Sequence, residues 1–135
     1  MRVLVDSTVW IDFLKGRETP ETERLVELIE GRGDLCVCGF VLTEVLQGIR
    51  DERQYLCTRE QFANLIYLHE DRSTFEVGAT IYRNLRKQGI TIRNSIDCLI
   101  AATAIRNNVA LLECDRDYPF IAAQFPLKLV MKNEA

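Results

Sequence analysis

Histidine is nearly missing from this chain, with His69 the single example among 135 residues. The cysteines include no CxxC pair, so the sequence lacks the nitrogen and sulfur ligands that a zinc site requires. No apolar run approaches the ~20 residues that span a membrane. The chain passes from Met1 almost directly into an apolar run, so we expect no cleaved signal. These absences argue against a zinc site, a membrane span and a cleaved signal.

The chain also lacks an excess of positive charge, since its formal net charge is −3 at pH 7. This balance argues against a surface that coats nucleic acid, but it leaves room for a local nucleic acid site. The basic side chains are mostly arginine, with thirteen arginines against four lysines. Arginine suits planar, bidentate recognition of phosphate or carboxylate. Two arginine-rich clusters, at residues 50–59 and 83–93, fit either such recognition or a solvated helix face.

Five cysteines lie within apolar stretches, at Cys36, Cys38, Cys57, Cys98 and Cys114. Their number is odd, and a cysteine thiol behaves as a small apolar core residue in a reducing compartment. We therefore expect reduced cysteines in the core of a cytoplasmic protein.

Apolar runs without polar alternation alternate with helical patterns along the chain. The predicted strands cover residues 3–5, 35–38, 68–70, 109–112 and 127–130. Helices are predicted between them, including one from residue 53 to 68, and the tail after residue 130 is expected to fray. Thr19, Ser73 and Ser95 are the expected N-caps of three helices.

No linker, repeat or low-complexity segment interrupts this pattern, and 47% of the residues are hydrophobic. The length suits one domain with a single sizeable core. We therefore predict one α/β domain over residues 1–135, with a mainly parallel sheet flanked by helices.

Acidic residues occur close to the ends of the predicted strands. Asp6 follows the first strand, and Glu44 lies near the start of the helix after the second. Asp115 follows a later strand, and Asp97 lies in the first turn of a helix that is apolar nearly all round. Because the carboxyl ends of parallel strands share one edge of a sheet, we expect these side chains to come together there.

Each acid also has a purely structural explanation. Asp6 fits a helix N-cap, and Asp115 begins a segment of turn composition. Glu44 and Asp97 fit first-turn acids that the helix dipole favours. As a set, however, several carboxylates in a half-dry crevice resist ionisation unless a cation is present. Oxygen-only ligands suit Mg²⁺ or Mn²⁺, which can activate a water for attack on a phosphodiester.

Four motif stretches occur in order along the chain, and together they are specific for one family. They are Val5-Asp6-Ser7-Thr8-Val9-Trp10-Ile11-Asp12, Val41-Leu42-Thr43-Glu44-Val45-Leu46-Gln47-Gly48, Thr91-Ile92-Arg93-Asn94-Ser95-Ile96-Asp97-Cys98-Leu99-Ile100-Ala101 and Leu111-Leu112-Glu113-Cys114-Asp115-Arg116-Asp117-Tyr118. Over residues 3 to about 123 the chain closely resembles PIN-domain proteins, specifically VapC-type toxins of bacterial type II toxin–antitoxin systems.

The resemblance implies an α/β/α sandwich whose parallel sheet has about five strands in an order near 3-2-1-4-5. It also implies a homodimer and a Mg²⁺- or Mn²⁺-dependent endoribonuclease that a cognate VapB-type antitoxin inhibits. The family's acidic positions match Asp6, Glu44, Asp97 and Asp115, with Asp117 as a variable fifth. Thr8 matches a position that usually holds a small hydroxyl residue.

Two departures from the family's pattern are mild. Tyr118 stands where phenylalanine is usual, and Cys114 precedes Asp115 where a polar residue is frequent. Neither departure removes an acid, so the resemblance still implies activity.

Arginine is the side chain expected to hold the RNA. Arg93 lies just ahead of the helix start that carries Asp97, although it also fits a dimer or surface salt bridge. Arg116 is the second candidate, and it also fits a simple ion pair with its acidic neighbours. The antitoxin is expected to insert an arginine or lysine among the acids, with its apolar residues in a groove near Trp10 and the helix of Glu44.

Three other functions fit parts of the pattern. A phosphatase of the haloacid dehalogenase class needs a second acid two residues after the first, where this chain has Thr8. A receiver domain needs adjacent acids early in the chain and a lysine after a late strand. A PIN-like domain that only binds RNA or a partner would be favoured by the loss of an acid, and none is missing.

Overall fold

The apolar runs assemble into one five-stranded sheet in the computed structural model, which describes residues 1–130. The strands are β1 (Arg2–Val5), β2 (Asp34–Cys38), β3 (Ile66–Leu68), β4 (Ala110–Leu112) and β5 (Lys128–Leu129). Every pairing is parallel, and the spatial order is β3-β2-β1-β4-β5. The predicted α/β class and the strand order that the resemblance implied are therefore confirmed.

Seven helices connect the strands within the described residues. They are α1 (Ser7–Leu14), α2 (Pro20–Glu30), α3 (Gly39–Gln47), α4 (Glu52–Phe62), α5 (Arg72–Lys87), α6 (Ser95–Arg106) and α7 (Asp117–Ala122). Within residues 1–130, none of these helices has the length and apolarity needed to cross a membrane. The expected fraying of the tail concerns residues outside the described part.

The central strand β1 is covered on both faces. Val3, Leu4 and Val5 are all buried, although successive side chains of a strand point to opposite faces. Helices must therefore cover the sheet on both sides, which makes a three-layer α/β/α sandwich. The predicted apolar character of α6 is also borne out, since its residues from Ile100 to Ala104 are all buried.

Two N-caps differ from the prediction. Asp71, not Ser73, caps α5, because its carboxylate accepts from the Thr74 backbone N–H at 3.0 Å while the Thr74 hydroxyl accepts from the Asp71 backbone N–H. Asn94, not Ser95, caps α6, and its side-chain oxygen accepts from the Ile96 backbone N–H at 3.0 Å. Both helices therefore begin one or two residues earlier than predicted.

The helix predicted from residue 53 to 68 is too long. α4 ends at Phe62, and Ile66–Leu68 form the edge strand β3, two residues before the position predicted. β3 pairs with β2, with Ile66 opposite Cys36. This pairing satisfies backbone groups that would otherwise form an open edge of β2, and helical periodicity alone does not reveal it.

The cysteines are all free thiols, but only three belong to the core. Cys36, Cys38 and Cys98 are buried, whereas Cys57 on α4 and Cys114 after β4 are exposed. The expectation of five core cysteines was therefore wrong for two of them, because apolar neighbours in sequence do not ensure burial, as the exposed Leu56 beside Cys57 shows.

Candidate metal centre

The central strand delivers the first acid of the site. Directly after β1, Asp6 occupies the N-cap position of α1 with an extended backbone. Its backbone N–H donates to the Leu112 carbonyl at 2.9 Å, which ties the ends of β1 and β4 together. Its carboxylate makes no capping hydrogen bond and the residue is only 3% exposed. Helix capping therefore does not explain Asp6.

Tyr118 links Asp6 to the acid on α6. The Tyr118 hydroxyl donates to Oδ1 of Asp6 at 3.1 Å and lies 3.3 Å from Oδ1 of Asp97. Tyr118 is fully buried on α7, and Asp97 is half-buried in the first turn of α6. One phenolic oxygen thus connects the end of the central strand to the start of the buried helix.

Three carboxylates lie close enough to share one cation. Single oxygens of Asp97, Asp115 and Asp117 lie within 4.8 Å of one another. Oδ1 of Asp115 accepts from the Asp117 backbone N–H at 2.9 Å, so the turn chemistry expected of Asp115 is present as well. Ligands about 2.1 Å from a Mg²⁺ ion lie up to roughly 4.2 Å apart. The limit of 4.8 Å slightly exceeds that span, so this all-oxygen set suits a divalent cation once the side chains close by a few tenths of an ångström.

Glu44 is connected to the site by a hydrogen bond from a serine hydroxyl, and it does not lie at a helix start. It lies in the second turn of α3, so the alternative explanation of Glu44 as a first-turn acid favoured by the helix dipole does not hold. Ser7 on α1 donates from Oγ to Oε1 of Glu44 at 3.0 Å. Thr8, the hydroxyl residue that the motif suggested, is exposed instead.

The acids share one electrostatic field. Burial raises the pKa of Asp6 to about 6; the Tyr118 hydroxyl and the Ser7 backbone N–H lower it, and the charges of Glu44 and Asp115 raise it. Burial also raises the pKa of Asp97 to about 7, with further contributions from Asp6 and Asp115. A cation would offset the repulsion among these carboxylates and favour their ionised forms.

A further acid lies close enough to Asp6 to be affected by its charge. Glu113 follows β4 directly and is half-buried, and burial together with the charge of Asp6 raises its pKa to about 7. The sequence offered a signal for it, since Glu113 ends an apolar strand just as Asp6 does. The motif comparison drew attention to Asp115 instead.

The family is decided by comparison with known proteins, because a sequence model of the PIN domain matches residues 3–124. This chain belongs to the PIN-domain family. It is 31% identical to Ribonuclease VapC11 of Mycobacterium tuberculosis over 124 residues, which are 89% of this chain and 91% of that protein. It is 29% identical to Ribonuclease VapC1 of Methanocaldococcus jannaschii over 133 residues, 97% of this chain and 88% of that one.

A solved structure shares the fold of this PIN domain. VapBC2 from Rickettsia felis, bound to a DNA fragment from its promoter, superposes with a TM-score of 0.74 at 19% identity. The match covers 96% of this chain and 98% of that chain. PIN nucleases depend on metal, and the buried acidic cluster of this PIN domain agrees with that property.

The pKa values predict how the metal-free PIN domain responds to pH. Folding raises the pKa of Asp97 from 3.8 to about 7, so between those values the folded state binds more protons than the unfolded state. This group therefore lowers the free energy of unfolding as pH rises through that window. Asp97→Asn should become the more stable protein, by about 1–2 kcal/mol near pH 7.5 after allowing for solvent screening.

Thermal and urea unfolding with a chelator, from about pH 4.5 to 8, measure this difference. Added Mn²⁺ should reverse the order, because it stabilises only the intact acid set. A stability difference that is the same at every pH would contradict the prediction.

Proposed function

We propose that this PIN domain is a divalent-metal-dependent endoribonuclease, the toxin of a type II toxin–antitoxin pair, which a VapB-type antitoxin holds inactive. One observation carries the proposal. The carboxylates of Asp97, Asp115 and Asp117 converge beside Asp6, in a chain 31% identical to a protein named as a ribonuclease. A PIN-like domain that only binds RNA or a partner has less support, because every acidic motif position is filled.

Asp97, Asp115 and Asp117 are proposed to hold the ion together with Asp6, whose carboxylate shares the Tyr118 hydroxyl with Asp97. Because all donors are carboxylate oxygens, Mg²⁺ or Mn²⁺ is the proposed ion. When bound, a divalent ion supplies charge neutralisation and a water acidic enough to attack a phosphodiester. The chain keeps mutually repelling carboxylates close, and Ser7 restrains Glu44 at their border.

Asp6→Asn should lower RNA cleavage by more than about 100-fold, since loss of a direct ligand exceeds the 10–100-fold typical of outer-shell partners. Asp34→Asn is the matched control. Asp34 is exposed at the amino end of β2, whereas the acids lie at the carboxyl ends of the strands. Cleavage of total RNA with mapped product ends is the measurement. Full activity in Asp6→Asn, or activity that survives a chelator, would refute the assignment.

Binding RNA requires positively charged side chains that contact its phosphates, and the acids cannot provide them. Arg93 and Arg116 are exposed, and within residues 1–130 neither forms an ion pair. The simple pairing of Arg116 with its acidic neighbours is therefore not observed. At the start of α6, Asn94 already accepts the N–H groups of Ile96 and Asp97. Side chains rather than this helix start are thus proposed to hold the phosphates.

Arg93→Ala, placed in the inactive Asp97→Asn background, should weaken binding to single-stranded RNA. The slope of log affinity against log salt should fall by roughly 0.7 for one lost phosphate contact. Arg2→Ala is the control, because Arg2 is exposed at the amino end of β1. An unchanged slope in Arg93→Ala would show that Arg93 touches no phosphate.

Two pockets beside α1 support the proposed antitoxin groove. One, of about 590 Å³, lies between α1 and the end of α3. Its apolar lining residues are Ile11, Leu14, Val45 and Ile49. The other, of about 420 Å³, is lined by Trp10 and Phe62 among others. Val45, which lines the first pocket, directly follows Glu44, so this pocket fits a partner segment whose apolar residues lie near a cation.

Leu14→Ala should weaken antitoxin binding by about tenfold, because it truncates an apolar contact in the groove. Leu56→Ala is the control, since Leu56 is exposed on α4 and does not line either pocket. Calorimetry of the purified pair, repeated at rising salt, gives the affinity and its electrostatic part. Antitoxin binding that leaves Mn²⁺ affinity and cleavage untouched would exclude an inserted cation.

Two further expectations remain proposals. Free thiols at all five cysteines fit a reducing compartment, and we propose the cytoplasm as the location. The homodimer that the family resemblance implies stays a prediction, to be tested by light scattering of the purified protein.

A further inference from the structure

We infer that Tyr118 is a positioning residue of the acidic site, whose hydroxyl holds the carboxylates of Asp6 and Asp97 in the orientation that a divalent cation needs. The inference rests on the proposed function and extends it to an atom, the phenolic oxygen, that phenylalanine at this position would lack.

The contacts of that oxygen carry the inference. It donates to Oδ1 of Asp6 at 3.1 Å and lies 3.3 Å from Oδ1 of Asp97. Within residues 1–130, no other side chain forms hydrogen bonds to both of these carboxylates. In each carboxylate the bonded oxygen is Oδ1, so Oδ2 keeps its full capacity as an acceptor or ligand.

Burial makes this contact persistent. Tyr118 is 0% exposed, so bulk water does not compete for its hydroxyl. The terminal torsion of an aspartate is broad, and two adjacent carboxylates without a common donor would rotate apart. A fixed donor between them opposes that rotation. This is how hydrogen-bonding partners behind the ligands orient a metal site.

The position of Tyr118 in the chain strengthens the link to the site. Asp117, the preceding residue, belongs to the group of three converging carboxylates and is itself buried. The first turn of α7 therefore provides both a ligand candidate and the hydroxyl that orients two others. Displacing one without the other would require the helix to unwind.

Tyr118→Phe removes the oxygen and keeps the buried ring. Tyr82→Phe is the matched control, since Tyr82 lies half-buried on α5 beside Arg86 and, within residues 1–130, forms no hydrogen bond to Asp6 or Asp97. The antitoxin-free proteins are titrated with Mn²⁺ by calorimetry and melted without metal to confirm folding. We expect the Kd for Mn²⁺ to rise about 10–100-fold in Tyr118→Phe and to stay unchanged in Tyr82→Phe.

RNA cleavage supplies a second readout. In Tyr118→Phe, kcat at limiting Mn²⁺ should fall while KM for RNA is unchanged, and saturating Mn²⁺ should restore most of kcat. A purely structural role for Tyr118 would lower the melting temperature without raising the Kd for Mn²⁺.

Different outcomes would overturn the role of Tyr118 and the proposed function. Normal Mn²⁺ binding and cleavage by the wild type, with a Kd for Mn²⁺ within twofold in Tyr118→Phe, would overturn the role of Tyr118 alone. A wild-type protein that neither binds Mn²⁺ nor cleaves RNA would overturn the proposed function and this inference together.

Discussion

The buried charge of Asp6 is the constraint on which the site depends. β1 is covered on both faces, so the residue at its carboxyl end leaves the sheet inside a dry crevice. An ionised carboxylate there needs partners, and the structure supplies a phenol and a backbone N–H. The other acids make ionisation harder still, and a cation bound among them would relieve the same repulsion. The same buried, mutually repelling carboxylates thus destabilise the metal-free protein and provide its proposed chemistry.

The order of the strands brings the other acids to the same place as Asp6. β1 lies between β2 and β4, so the segments that follow these three strands meet at one edge. α3, α6 and the loop before α7 then bring acids from distant parts of the sequence to that edge. The first turn of α7 contributes two adjacent functional groups, Asp117 and Tyr118. A displacement of that short helix would therefore move both groups together.

Much of this arrangement could be predicted from residue patterns, and the exceptions have physical reasons. Fully apolar runs identified β1 and β4, because buried parallel strands tolerate no polar alternation. β3 was misplaced, because three residues at a sheet edge are defined by their pairing with β2 and not by their own pattern. The acids were recognisable by type and order. Their partners Ser7 and Tyr118 were not, because a hydrogen bond between helices depends on side-chain direction, which no spacing encodes.

The uneven exposure of the thiols has a practical consequence. Cys36, Cys38 and Cys98 are buried in the core. The Cys114 residue is exposed, but partial desolvation of its thiol and the charges of nearby acids raise its pKa to about 12. Alkylating reagents attack the thiolate, so Cys114 should react slowly at neutral pH. Cys57 lies exposed on α4, the helix whose Phe62 lines the pocket beside Trp10. The chain therefore already carries one addressable position for a fluorophore, on the helix that borders the proposed antitoxin groove.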